Sequence, residues 1–124
     1  MIYVVQRHRA TTLHFDLRLE VDGVLVSWAV PKEPTTDPRV KRLAVQVDDH
    51  ELEHATYEDA DKTIWDHGTY ENLIEPDAAG AIAAGHLKVR LHGARLDGVF
   101  ALTRTSMNGD PRNWILVKVA DPQV

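Results

Sequence analysis

The sequence predicts a mainly β protein, a compact single-domain barrel or sandwich of about seven or eight short strands with one or two short helices. Three observations predict it. Apolar and polar residues alternate strictly through Leu13-His14-Phe15-Asp16-Leu17-Arg18-Leu19-Glu20, which marks a strand with one buried face. Asp22-Gly23 follows almost at once, and Asp-Gly between two such runs signals a tight hairpin. Short apolar runs then recur at regular spacing, each bounded by turn residues, as in a sandwich or barrel.

The elements follow in order. Residues 24–30 return from the hairpin as the next strand. Residues 31–38, rich in Pro, Thr and Asp, form a loop, and residues 42–47 another strand. Residues 63–66 and 68–71 read as two short strands. The stretch from Pro76 to Gly85 holds five alanines and is the best helix, with Pro near its start and Gly at its end. Residues 87–91 alternate again, and His92-Gly93 marks a turn. Residues 96–104 and 114–119 read as the last strands, joined by a polar loop. The domain occupies residues 1–120, and residues 121–124 form a frayed tail.

Composition narrows the function. The 124 residues are 44% hydrophobic and 27% charged, enough for one core and too few for two full domains. Cysteine is absent, which excludes disulfides, thiolate metal sites and a cysteine nucleophile. No apolar run approaches the roughly 18 residues of a membrane span, and charge appears too early for a signal peptide. A soluble cytoplasmic monomer is expected. The net charge of −5 argues against nonspecific DNA coating. The acid is concentrated between Glu51 and Gly80, where Lys62 is the only base, so a local basic site elsewhere is compatible with it.

The chemistry lies in residues 6–18. On a strand, His14, Asp16 and Arg18 share one face, with neighbours about 7 Å apart. Side chains at that spacing can converge on one ion. His8 adds a third ligand if the chain folds back between Arg9 and Thr12. Two histidines and a carboxylate suit Mn²⁺, Fe²⁺ or Zn²⁺ and leave positions open for water and substrate. Arg18, next along the face, could grip a phosphate with its planar fork. Against this, a polar strand face is usually only solvated. Cupin-type barrels also use two histidines and a carboxylate, but their glycine-flanked spacing is absent. His50, in Val47-Asp48-Asp49-His50-Glu51-Leu52-Glu53-His54, could serve as general acid or base. His67, His86 and His92 read as surface residues at turns. Trp28, Trp65 and Trp114 read as core.

The long motif from Gln6-Arg7-His8 to Leu19-Glu20 resembles the 3′-phosphoesterase domain family of bacterial DNA ligase D. Trp28-Ala29-Val30-Pro31-Lys32, Arg42-Leu43-Ala44-Val45, Asp48-Asp49-His50, Trp65-Asp66-His67-Gly68-Thr69-Tyr70 and Trp114-Ile115-Leu116-Val117-Lys118 continue the likeness over nearly the whole chain. The resemblance implies a β-barrel and a Mn²⁺-dependent activity, with Zn²⁺ or Co²⁺ as other divalent candidates. Its substrates would be primer-template DNA or RNA/DNA 3′ ends in non-homologous end joining. A terminal 3′ ribonucleotide is cut to a 3′-phosphate, which is then removed to leave a ligatable 3′-OH. By position, His8, His14 and Asp16 match metal ligands, and Arg18, Arg42 and His50 match phosphate-contacting and catalytic residues. Gln6, Lys32 and Asp48 match supporting, substrate-binding positions, with Asp48 where a Glu is usual. His54 stands where the family has a catalytically important Tyr, and Glu51 where it has a Pro. The motif starts close to Met1, without the family's usual leader, which reads as a minimal stand-alone form, a trimmed chain or a reduced activity; ligase, polymerase and Ku proteins would be separate partners. The runner-up reading is a catalytically weakened module that binds nucleic-acid ends; a cupin-like enzyme acting on a small molecule ranks third.

Overall fold

A computed structural model describes residues 1–120. The chain builds β1 (Ile2–Arg9), β2 (Leu13–Val21), β3 (Val24–Val30), β4 (Lys41–Glu51), β5 (Lys62–Asn72), α1 (Ala78–Ala84), β6 (His86–Gly93), β7 (Asp97–Arg104) and β8 (Asn113–Lys118). A 3₁₀ segment, Leu52–Thr56, follows β4, and a second, Met107–Gly109, precedes β8. All strand pairs are antiparallel. The sheet closes in the order β1-β2-β3-β4-β8-β7-β6-β5, and β5 returns to β1. Closure leaves no open strand edge; of the barrel or sandwich that the alternation allows, the barrel implied by the family resemblance is the observed architecture.

The alternating apolar positions line the interior. Tyr3, Val5, Phe15, Leu17, Leu19, Val26 and Trp28 belong to one buried cluster with Leu87, Leu91, Phe100, Leu102, Trp114 and Leu116. Trp28 and Trp114 meet edge to face, centroids 5.6 Å apart. Trp65 is only half buried; it packs on Phe15 and carries the Arg95 guanidinium 4.7 Å above its ring. α1 caps as its sequence dictates. The Asp77 carboxylate accepts from the Gly80 N–H, and Gly85 closes the helix at φ 85°, a left-handed conformation that glycine adopts without strain.

Several element boundaries differ from expectation. Residues 63–66 and 68–71 are one strand, β5, which runs through Gly68. The interruption expected at His67 is absent, and Gly68 beside it serves packing. Its missing Cβ would lie 2.0 Å from the His92 carbonyl oxygen, so it lets β6 approach closely. His92-Gly93 is the end of β6, and the reversal falls at Ala94 and Arg95. His67, His86 and His92 are exposed as expected, but from strands and not turns. Residues 2–9, not predicted as a strand, form β1. The expected tail, residues 121–124, lies outside the described residues.

Asp66 organises the β6–β7 reversal from within. Its carboxylate, 4% exposed, accepts from the Tyr3 hydroxyl at 2.7 Å and from the N–H groups of Ala94, Arg95 and Leu96. Burial, reinforced by Asp66, pushes the Tyr3 phenol well above its ordinary range, so it stays a donor.

One connection positions the site. β4 and β5 are consecutive in sequence but separated in the barrel by β3, β2 and β1. The link between them crosses the outside of those strands, where the Gln6 amide donates to the carbonyls of His54 and Tyr57 at 2.9 and 3.0 Å. Gln6, Arg18, Leu25 and Ser27 alternate with core residues and therefore face outward, yet they are fully buried. The crossing segment is what covers them.

Candidate metal centre and its polar support

Register brings the sequence-predicted ligands together. In the β1–β2 ladder His8 lies opposite His14, and Gln6 opposite Asp16. The chain does fold back between Arg9 and Thr12, in a tight link between the two strands. His8 Nδ1 lies 3.1 Å from His14 Nε2 and 3.2 Å from Asp16 Oδ2. His14 Nε2 lies 3.2 Å from Asp16 Oδ1. His8, His14 and Asp16 are the one group of metal-ligating donors that converge within 4.8 Å among the described residues.

The donor chemistry fits a divalent ion. With protons alone, both imidazoles would have to turn N–H groups toward Asp16 and so toward each other. One cation serves all three donors. Ligands about 2.0–2.2 Å from a shared metal are spaced about 3.0–3.5 Å from one another, which matches these separations. His14 Nδ1 lies 3.4 Å from the Thr12 carbonyl. A proton held there leaves Nε2 free to ligate, the usual outer support of a metal-binding histidine.

Behind Asp16 lies a buried hub, Arg18, at 1% exposure. Its Nε donates to Gln6 Oε1 at 2.7 Å, its Nη1 to Ser27 Oγ at 2.9 Å, and its Nη2 lies 3.5 Å from Asp16 Oδ2. Nη1 also lies 2.9 Å from His50 Nδ1. That same Nδ1 lies 3.0 Å from the Asp48 carbonyl, and one ring nitrogen cannot accept and donate at once. The guanidinium is a permanent donor, so Nδ1 accepts and the neutral ring carries its proton on Nε2. Burial, then the Arg18 charge, lower the His50 pKa below its ordinary value. Burial also lowers that of Arg18, against the opposing pull of Asp16.

His54 stands beside this hub. Its ring lies 4.9 Å from that of His50 and stacks on Tyr57, while its Nε2 accepts from the Lys62 ammonium at 3.2 Å. Burial first, then Lys62, push its pKa down. Lys32 and Arg42 line a separate concavity with Pro31, Lys41 and Leu43, where Arg42 Nε donates to the Glu33 carbonyl. Ala29 pairs with both Asp16 and Val45. Arg42 lies three residues from Val45, in the direction that leads from Asp16 toward His14, so it stands at the ligand end of the barrel. Asp48 is exposed and joins the site through its backbone carbonyl. Ser27, Tyr57 and Lys62 have no signature in the sequence. The β2–β3 register brings Ser27 here, the β1–β5 register brings Lys62, and the segment crossing from β4 to β5 brings Tyr57.

The fold and the centre define a class, a closed antiparallel barrel with a His-His-Asp cluster on its outer wall whose donors are spaced to hold a metal. Residues 6–104 match the DNA Ligase D 3′-phosphoesterase domain, and the chain belongs to that family. It is 45% identical to the multifunctional non-homologous end joining protein LigD of Pseudomonas aeruginosa, over 96% of this chain and 15% of that protein. It is 44% identical to the multifunctional non-homologous end joining DNA repair protein LigD of Mycobacterium tuberculosis, over 91% of this chain and 15% of that one. With the LigD protein of Mycolicibacterium smegmatis the identity is 38%, over 96% and 17%. The chain thus spans about one-sixth of the length of the curated relatives it matches. No helix among the described residues is long and apolar enough to cross a membrane.

Proposed function

We propose that the chain is a Mn²⁺-dependent phosphoesterase that processes the 3′ ends of DNA or RNA/DNA strands for end-joining repair. The observation that carries this reading is the convergence of His8, His14 and Asp16 at ligand spacing, in a chain of the 3′-phosphoesterase family. His8 Nδ1, His14 Nε2 and the Asp16 carboxylate would hold the ion, whose role when bound is to polarise a phosphoryl oxygen as a Lewis acid.

The protein groups would divide the remaining work. Lys32 and Arg42 would neutralise the non-bridging oxygens of the phosphate from the ligand end. Arg18 is held by protein partners; it would orient Asp16 and His50 and add positive potential beneath the phosphate. His50, with its N–H on Nε2, would donate a hydrogen bond to the departing ester oxygen and offset its developing charge. The oxygen of water would bond to phosphorus, the bond to the leaving oxygen would break, and a proton of water would pass to the leaving oxygen. Applied to a terminal 3′ ribonucleotide, the step releases a nucleoside and leaves a 3′-phosphate. Applied again, it releases inorganic phosphate and leaves a 3′-OH. Its partners in that pathway would be end-joining ligase, polymerase and Ku functions, and the protein would act as a cytoplasmic monomer.

The test is a labelled primer-template ending in one 3′ ribonucleotide, incubated with the protein and Mn²⁺, Zn²⁺ or EDTA. The expected result is metal-dependent shortening to a 3′-phosphate and then a 3′-OH. Tight binding of the primer end without product under any metal would replace the enzyme by an end-binding module.

A further inference from the structure

We infer that Lys62 is a substrate-binding residue that contacts the reacting 3′-phosphate from the β5 side of the metal-ligating cluster. This rests on the phosphoesterase reading above. Lys62 lies opposite His8 in the β1–β5 ladder, and His8 lies opposite His14. Opposed residues of antiparallel strands project to the same side. Lys62, His8 and His14 therefore form one row across three strands spaced about 4.8 Å apart. Lys32 and Arg42 come from the far side of His14. Lys62 is the cation on the other flank.

Its surroundings suit an anion and not a structural ion pair. The ammonium contacts neutral groups, His54 Nε2 at 3.2 Å and the face of Tyr57, 5.8 Å to the centroid. It forms no salt bridge to a carboxylate among the described residues. Of its three N–H donors, one is committed to His54. The side chain is half buried, and burial, followed by the nearby Arg18 charge, disfavours its charged form. A partly desolvated cation beside a second cation makes a local positive potential on an otherwise acidic segment. A phosphate oxygen would relieve it. His54 then acts through Lys62 by holding the ammonium toward the cluster.

The experiment compares wild type with Lys62→Met, Lys62→Gln and Lys62→Arg. Fluorescence anisotropy in EDTA, where no turnover occurs, measures affinity for one oligonucleotide ending in 3′-phosphate or in 3′-OH. Mn²⁺ affinity is read separately by electron paramagnetic resonance. Wild type should prefer the 3′-phosphate. Both neutral variants should lose about tenfold in affinity for that end alone, as expected for one charged hydrogen bond. Their log–log salt slope should fall by about 0.7–0.9. Lys62→Arg should retain most of the preference, and Mn²⁺ affinity should not change. Neutral variants that keep the wild-type preference and salt slope overturn the assignment, as does equal weakening of both ends. A wild type without any 3′-phosphate preference would instead overturn the phosphoesterase reading itself.

Discussion

Replacing Arg18 with Met tests whether the hub holds the centre together. Met fills much of the space of the arginine stem and removes only the fork. The fork donates to Gln6 at 2.7 Å, to Ser27 at 2.9 Å and to His50 at 2.9 Å, and it faces Asp16 at 3.5 Å. Without it, the Asp16 carboxylate, 4% exposed, loses its nearest permanent positive charge. Breaking a buried ion pair from one side costs about 3–5 kcal/mol. The long Arg18–Asp16 separation and the packing kept by Met place the expected loss near the lower end, about 3 kcal/mol. That is about a hundredfold in the folding equilibrium, and about 10 °C in Tm for a domain of this size. Urea unfolding in EDTA reads the loss directly. Added Mn²⁺ should recover part of it, because an ion on Asp16 restores a positive neighbour. A loss below about 1 kcal/mol in EDTA would refute the hub, since an exposed, weakly held arginine behaves that way. So would strict additivity of Arg18→Met with Asp16→Asn, because contacting groups must couple.

Other consequences are simpler to check. His14→Ala should abolish Mn²⁺ binding, measured by calorimetry, while the circular dichroism spectrum stays that of the wild type. Unchanged affinity would remove His14 from the ligand set. Gly93→Ala should destabilise by about 3 kcal/mol or more through overpacking, because its Cβ would lie 1.6 Å from the Tyr3 hydroxyl and 2.5 Å from Asp66 Oδ2; near-native stability would show that the Tyr3–Asp66 lock is loose. His50 and His54 both have pKa values below the ordinary 6.5 in the folded state. The unfolded chain therefore binds more protons as pH falls through that value. Their contribution is fully present above pH 6.5 and lost progressively below it, so the urea midpoint in EDTA should fall with acidification, and His50→Gln should flatten the slope. An unchanged slope would mean that His50 titrates alike in both states.

Much of this protein was legible in its sequence, because period-two alternation is a local property. Residues 13–20 set their own buried face, and Asp22-Gly23 set the hairpin. His8, His14 and Asp16 were visible as donors of suitable spacing on a strand and its return. What failed locally failed for tertiary reasons. His67 read as a turn between two short strands, because nothing in its neighbours reveals that β5 continues through it to pair with β1 and β6. β1 was missed because its residues, Tyr3, Val4, Val5 and Gln6, are buried on both faces and so do not alternate. Arg18 read as a phosphate clamp on a polar strand face, and its burial among Gln6, Ser27 and His50 has no local signature.

The sequence alone determined the mainly β class, the core face and the identity of the candidate ligands. Tertiary structure decided which groups surround them. β4 and β5 are neighbours in sequence but not in the sheet, so the chain between them must cross β3, β2 and β1. That crossing buries Gln6, Arg18 and Ser27, sets His54 against Lys62, and turns a solvated strand face into a dry polar network. The closing β1–β5 register then places Lys62 in line with His8, a pairing between residues 54 positions apart that no local pattern encodes.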